Sequence, residues 1–203
     1  MKGNIEKSEL DKLLTTFTQS AKKSKKSFRP RGSVIPYTTW NDRVWYFFGI
    51  DNQFKSICDF GGGQESYDTS LIKTAMRELA EESLEVFKPF IKEEGEGNRY
   101  FFDIYKPRKF FPSPHLIIFI PLRSINPRIV REQFLDKISK ESSFLEVCDI
   151  IAIERKILCD AVKQMQTDRR FFITKTEGNT YKLWDQLFWR LYEIIHTTSI
   201  FDE

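Results

Sequence analysis

Histidine and cysteine are the scarcest chemical resources of this chain. The two histidines, His115 and His196, stand far apart, which excludes an ordinary histidine-built zinc site. The three cysteines, Cys58, Cys148 and Cys159, are an odd number in mostly apolar settings. They exclude a disulfide framework and read as buried or free thiols in a reducing compartment, so an intracellular, cytoplasmic protein is expected. Long apolar runs are missing too. None approaches the roughly 20 residues that a membrane-spanning helix needs, and no membrane partner is expected. The first residues lack the apolar core of a secretory signal. Charge of one sign is not in large excess: 32 basic against 29 acidic residues leave a net +3, so any anion-binding footprint must be local. Glycine is sparse, yet three of the nine stand together as Gly61-Gly62-Gly63. No Lys-Ser/Thr pair follows them, which excludes a P-loop.

What the chain does have is material for a core. Apolar residues make up 40% of 203, with 19 Phe among them, enough for one domain with modest extensions. Residues 4–20 read as an amphipathic helix with Leu10, Leu13, Leu14 and Phe17 in one stripe. The following AKKSKKSFRPRGS brings Lys22, Lys23, Lys25, Lys26, Arg29 and Arg31 close together, with Pro30 and Gly32 breaking any helix there. This strip reads either as a solvated linker or as a phosphate-seeking surface for RNA or a polyanionic substrate, with a localisation signal as a further alternative. Residues 1–32 are therefore expected to be an N-terminal helix and basic linker, and residues 33–203 the folded domain.

Within that domain SVIPYTTW and DRVWYFFGID read as two strands joined by a turn around Trp40-Asn41-Asp42, and KSICDFGGG as a third short strand. NRYFFDIYK reads as a strand, and the continuous apolar run HLIIFIPL as a buried central one. NPRIVREQFLDKISKES reads as a helix. FLEVCDIIAIERKIL begins as a strand through about Ile153 and turns into a helix. RRFFITKT is either a short strand or an extended connection, and TYKLWDQLFWRLYEIIH a closing amphipathic helix. This order gives an α/β class, an α/β/α sandwich with a mixed sheet.

The rest is organised around Gly61 to Glu82, GGGQESYDTSLIKTAMRELAEE. Leu71, Ile72, Ala75, Met76 and Leu79 recur at helical spacing and suit packing on a sheet. Glu78, Glu81 and Glu82 project together from adjacent turns. Carboxylates so close repel one another unless a cation sits between them, and hard oxygen ligands suit Mg²⁺ or Mn²⁺. A solvated acidic face is the alternative for such a charge run. The stretch resembles the Nudix box, G-x5-E-x7-R-E-U-x-E-E-x-G-U with U aliphatic. Gly63 falls on the first glycine, and Arg77, Glu78, Leu79, Glu81 and Glu82 fall on the R-E-U and E-E positions. Two positions depart. Thr69, with Asp68 beside it, replaces the early Glu, and Leu84-Glu85 replaces the late Gly-U pair. In the family the early acid helps the loop and the helix start, and Asp68 or Thr69 is expected to cap the helix instead. The missing late glycine bears on how the chain leaves the helix. The order of strand, glycine turn and helix is also that of Nudix domains, and the resemblance implies their α/β/α sandwich.

The resemblance further implies a metal-dependent pyrophosphohydrolase acting on a nucleoside diphosphate linked to another group. Glu78, Glu81 and Glu82 would ligate Mg²⁺ or Mn²⁺. Arg77 would orient the carboxylates by ion pairing or reach the substrate, and the backbone of Gly62 and Gly63 would position the loop. The general base would be a box Glu or an acid from a later loop. Glu146 is the first later candidate, with Glu141, Asp149 and Glu154 as rivals, each weighed against an ordinary surface acid. The catalytic set is thus Arg77, Glu81, Glu82 and Glu146, with substrate contacts at Gly62, Gly63 and along the basic strip. The substrate stays open between capped RNA, which the strip favours, small nucleotides such as nucleotide sugars, and diphosphoinositol phosphates. The DFGGG run with RELAEES also looks like Nudix proteins of large DNA viruses, some of which decap mRNA. A non-catalytic Nudix-like nucleotide- or RNA-binding module is the alternative from another class; such modules usually lose box acids that this chain keeps. Tyr37, Trp40, Trp45 and Phe111 are weighed as base-stacking residues against core or rim packing.

Overall fold

A computed structural model describes residues 5–6, 8–10, 12–13, 15, 30–92, 96–105, 113–141, 144–165, 173–174 and 180–197. Its first long strand, β1 (Arg31–Trp40), is the hub of a seven-stranded mixed sheet. β2 (Arg43–Asp51) folds back on it through Asn41 and Asp42, at φ 50° and 56°, so that Trp40 pairs with Arg43. Asn and Asp tolerate this left-handed conformation better than bulkier residues, which is why two residues suffice for the turn. On its other side β1 pairs in parallel with β6 (Ser113–Pro121), which carries β5 (Arg99–Tyr105) antiparallel at the edge. The far side of β2 is covered by β7 (Val147–Glu154). HLIIFIPL is thus an interior strand, flanked on both sides, and its unbroken apolar run follows from burial on both faces.

Helices close each face. α1 (Leu71–Glu82) and α2 (Pro127–Ile138) lie on one side, where Leu71, Ala75, Leu79, Val130 and Phe134 join Val34, Phe47, Phe60 and Ile118 in one buried cluster. α3 (Arg155–Met165) and α4 (Asp185–Thr197) lie on the other, where Leu158, Val162, Leu187 and Leu191 meet Ile35, Phe48, Ile117 and Ile151. The result is the α/β/α sandwich with a mixed sheet that the element order implied. A short pair, β8 (Ile173–Thr174) and β9 (Thr180–Tyr181), stands apart from the main sheet.

At the N-terminus residues 8–10 are helical, and the Ile5 amide donates to the Tyr100 carbonyl at 3.0 Å. Ile5 and Leu10 are buried in the same cluster as α1, so this segment packs against the residue 33–203 body. Leu14, Phe17 and the basic residues Lys22, Lys23, Lys25, Lys26 and Arg29 lie outside the described residues. Arg31 and Gly32 open β1 rather than belonging to a linker. A Cβ on Gly32 would stand 2.6 Å from the Leu71 carbonyl, so this glycine is what lets α1 lie flat on the strand. No described helix is long and apolar enough to cross a membrane.

Candidate functional site

The sheet opens where β1 and β2 diverge, and residues 57–63 fill the gap as a narrow V. β3 (Ile57–Cys58) runs inward against β2. The chain turns at Asp59, and β4 (Phe60–Gly63) runs back out against β1, pairing Val34 with Phe60 and Arg31 with Gly63. Asp59, at the apex, is buried, and its Oδ2 accepts from Nη1 of Arg190 on α4 at 2.8 Å. Burial pushes the Asp59 carboxyl up, but the Arg190 guanidinium and the Ser33 hydroxyl more than offset this and hold it below its ordinary value. His115 Nε2 lies 2.9 Å from Ser33 Oγ and 3.5 Å from Arg190 Nη1. Burial, then the charge of Arg190, keep this imidazole neutral well below its usual range. The Asp59–Arg190 pair therefore pins the V from beneath, and His115 is a buried partner of Ser33.

The outer arm of the V faces α1. The helix starts at Ser70, whose side chain accepts from the Lys73 amide at 3.2 Å. Neither Asp68 nor Thr69 is the cap. Thr69 is exposed, and Asp68 instead accepts from Arg77 Nη2 at 3.0 Å, from the Glu65 amide at 2.9 Å and from the Thr74 hydroxyl at 3.1 Å. Those bonds, against some desolvation, keep the Asp68 carboxyl below its ordinary value. An acid one residue before the box's early Glu thus ties the loop to the helix. At the other end Leu84 and Glu85 adopt φ 52° and 57°. The left-handed exit that a glycine provides freely is present here on two side-chain-bearing residues.

Arg77 is the hub of the acids. Besides Asp68 it reaches Glu78 Oε1 at 2.9 Å, Glu81 Oε2 at 2.8 Å and the Gly63 carbonyl at 3.2 Å. The Tyr67 ring stacks on its guanidinium at 5.7 Å. Glu78 lies against Gly62 so closely that a Cβ there would stand 2.2 Å from Oε1, which explains the glycine. Burial raises the Glu78 carboxyl despite the opposing charge of Arg77. Glu82 Oε2 accepts from the Gly61 amide at 2.8 Å. Burial, and then the charges of Glu78, Asp59 and Glu146 against that one hydrogen bond, push Glu82 up to about 9. Among the described residues no cationic side chain bonds Glu82.

The candidates therefore separate. Glu78 and Glu82 converge on the glycine arm, and Glu146, in the bend before β7, acts on Glu82 through its charge. Glu81, mostly exposed and held by Arg77, lines a groove of about 560 Å³ with Lys137, Lys140 and Glu141. Asp149 is held by Arg131 through two bonds of 2.9 and 3.1 Å. Glu154 pairs with Arg43 at the far end of β7. Of the basic residues, Arg31 is brought to the arm: its Nη2 donates to the Gly61 carbonyl at 3.2 Å, and its buried Nε has no hydrogen-bond partner among the described residues. Trp40 and Trp45 sit at the β1–β2 turn, the other end of β1, and Tyr37 packs on Tyr46 at 5.7 Å. Phe111 lies outside the described residues.

The donor chemistry fits a divalent cation. Glu78 is raised by burial despite Arg77, and Glu82 by burial and neighbouring acids, so a further positive charge would let the two ionise together. Among the described residues, however, no three ligating side chains are gathered as a ready-made metal centre. Glu78 and Glu81 are both engaged by Arg77.

No family model and no curated protein matches this chain. Among solved structures it is similar to the NUDIX domain of Shewanella oneidensis NrtR in complex with ADP ribose, at 14% identity over 86% of this chain and 90% of that one, with a TM-score of 0.48. It is similar to a C. elegans Ap4A hydrolase at 13% identity over 68% of this chain and 86% of that one, with a TM-score of 0.43. A NUDIX-family hydrolase from Clostridium perfringens aligns at 10% identity over 84% and 98%, with a TM-score of 0.41.

Proposed function

We propose that this chain is a Nudix-type hydrolase that uses Mg²⁺ or Mn²⁺ to cleave the diphosphate of a nucleoside-diphosphate-linked substrate. One observation carries the reading: the Glu82 carboxyl, recessed on the box helix against the Gly61 amide, is raised to about 9 by burial and by neighbouring acids. That arrangement suits a site built to be completed by a dication and its anionic ligand. Glu78 and Glu82 would hold the ion, with Glu81 as a third box acid once released from Arg77. Such an ion supplies charge neutralisation of the diphosphate and a more acidic water.

The chain's own groups supply the rest. The glycine arm brings backbone close to the ligand because Gly62 has no Cβ to collide with Glu78. Arg77 holds Glu78 and Glu81 and braces the loop through Asp68 and the Gly63 carbonyl. Arg31 places its guanidinium beside the same arm, where Nη2 holds the Gly61 carbonyl, a cation suited to a nearby phosphate. Glu146 would take the proton of the attacking water; its charge reaching Glu82 supports this, while Asp149 and Glu154 are held by arginines elsewhere and Glu141 lines the groove beside Glu81. Capped RNA is the proposed substrate among diphosphates, on the strength of the basic strip that leads into Arg31.

The test is hydrolysis, with Mg²⁺ or Mn²⁺, of nucleoside triphosphates, nucleotide sugars, diphosphoinositol phosphates and cap-labelled RNA. Turnover of at least one diphosphate, reduced roughly 100-fold or more in Glu82→Gln, is expected. Wild-type silence across the panel, or full activity in Glu82→Gln, would overturn the reading and favour a binding module.

A further inference from the structure

The loop between β2 and β3 grips the segment that carries Glu146. The Asn52 amide donates to the Glu146 carbonyl at 2.7 Å, and its side-chain Nδ2 donates to the Leu145 carbonyl at 3.1 Å. One residue thus holds two successive carbonyls. Lys55 Nζ donates to Asn52 Oδ1 at 2.8 Å. A lysine only donates and a carbonyl only accepts, so one orientation of the Asn52 amide satisfies both neighbours.

The loop is itself closely hydrogen-bonded. The Phe54 amide donates to Asp51 Oδ1 at 2.5 Å, the Lys55 amide to the Asp51 carbonyl at 3.0 Å, and the Asp51 amide to the Ser56 carbonyl at 2.9 Å. From there the chain needs only β3 to reach Asp59, whose pair with Arg190 pins the glycine arm. Beside the loop the ladder of β2 on β7 slips. Ile50 pairs with Asp149 but Asp51 pairs with Val147, which leaves Cys148 as an extra residue. Such a bulge bends its strand and re-aims the side chains next to it. Glu146 immediately precedes this irregular end of β7. Its side chain is exposed, and among the described residues no ion pair or side-chain hydrogen bond holds its carboxylate. The direction of that carboxylate is therefore left to its backbone, where Asn52 acts.

We propose that Asn52, its amide oriented by Lys55, is the positioning residue for Glu146, clamping the Leu145 and Glu146 carbonyls so that the carboxylate faces the box helix. The inference rests on the diphosphate-hydrolase reading, in which Glu146 takes the proton of the attacking water. A base displaced by an ångström loses rate and leaves substrate binding as it was, so the clamp should be felt in kcat and not in KM.

Steady-state hydrolysis of the same panel of diphosphates at saturating Mg²⁺ tests it. Asn52→Leu removes the side-chain clamp without adding charge. Asn52→Asp keeps the acceptor for Lys55 and loses the donor to Leu145. Both are expected to lower kcat on the order of 10-fold with KM unaltered. In a Glu146→Gln background neither should cost anything further, since the group they position is gone. Unaltered kcat in both single variants would overturn the positioning role and leave the hydrolase reading standing. So would a loss confined to Asn52→Asp beside a folded, fully active Asn52→Leu, which would assign the effect to charge. Losses that persist at full size in the Glu146→Gln background would show that Asn52 does not act through Glu146, and undiminished turnover in Glu146→Gln alone would remove the base that it positions. Wild-type silence on the whole panel would instead overturn the hydrolase reading, and the positioning role with it.

Discussion

At the scale of single residues, Glu82 sets the terms on which the metal-free fold exists. Its carboxyl has an ordinary value of 4.5 and stands at about 9 in the folded chain. Below 4.5 it is protonated in both folded and unfolded chains and has no effect on their balance. Between 4.5 and 9 the unfolded chain ionises this group while the folded chain keeps the proton, so stability falls steadily as pH rises through that window. A glutamine keeps the oxygen that accepts from Gly61 but cannot ionise. Metal-free Glu82→Gln is therefore expected to melt several degrees above the wild type at pH 8, at roughly 2–4 °C per kcal/mol for a chain of this size. The two melting curves should converge near pH 4, and Mg²⁺ should raise the wild-type midpoint far more than that of the variant. Coincident curves at pH 8, measured by scanning calorimetry, would mean that Glu82 is solvated. Leu84 and Glu85 show how a motif residue can be lost and its geometry kept: the helix exit is still left-handed.

At the scale of elements, the V of β3 and β4 depends on α4. Arg190 and Asp59 are each only 5% exposed in their side chains. Arg190→Met would leave the Asp59 carboxylate buried and unpaired, a loss of about 3–5 kcal/mol. The double variant Arg190→Met, Asp59→Leu should recover much of this in urea titrations, because it removes the stranded charge. A double variant no more stable than Arg190→Met would show that the pair is not what holds the apex.

None of this was legible in DFGGG, which reads as the end of a single strand. The signal lies in a partner 131 positions away, and local pattern carries no trace of it. The box helix, by contrast, was legible because its apolar stripe and its acids are periodic within one segment. The cap was not, since Asp68, Thr69 and Ser70 are all good caps by type, and only tertiary pairing with Arg77 takes Asp68 out of contention. Glu81 looks equivalent to Glu78 and Glu82 by spacing, yet those two touch the glycine arm directly while Glu81 is mostly exposed and held by Arg77. Arg31 was grouped with its basic neighbours. Its strand membership shows in the structure, where Val34 and Ile35 just after it join the cores on opposite faces of the sheet, and the run of charge obscured it in the sequence.

At the scale of the whole molecule, a net charge of +3 conceals a separation between an acid-rich helix and a basic strip. Replacing Lys22, Lys23, Lys25, Lys26 and Arg29 with glutamine, while leaving Arg31 in place, separates substrate classes. Turnover of cap-labelled RNA at physiological salt is expected to fall at least about 10-fold, through lost phosphate contacts, with small nucleotides unaffected. Equal loss on both would assign the strip to the fold. Unchanged RNA turnover would remove its role.

The Asp59–Arg190 pair also has a consequence in time. It closes a separation of 131 residues, and the parallel pairing of β1 with β6 closes another of more than 80. Contacts so remote in sequence form only after the entropy of long loops has been met. During synthesis the box helix, its glycines and the β1–β2 hairpin leave the ribosome long before Arg190 does. The chain therefore carries the box helix and its glycines for most of its own birth without the pair that holds Asp59. The apex beneath the glycine arm is pinned only when the final described helix docks.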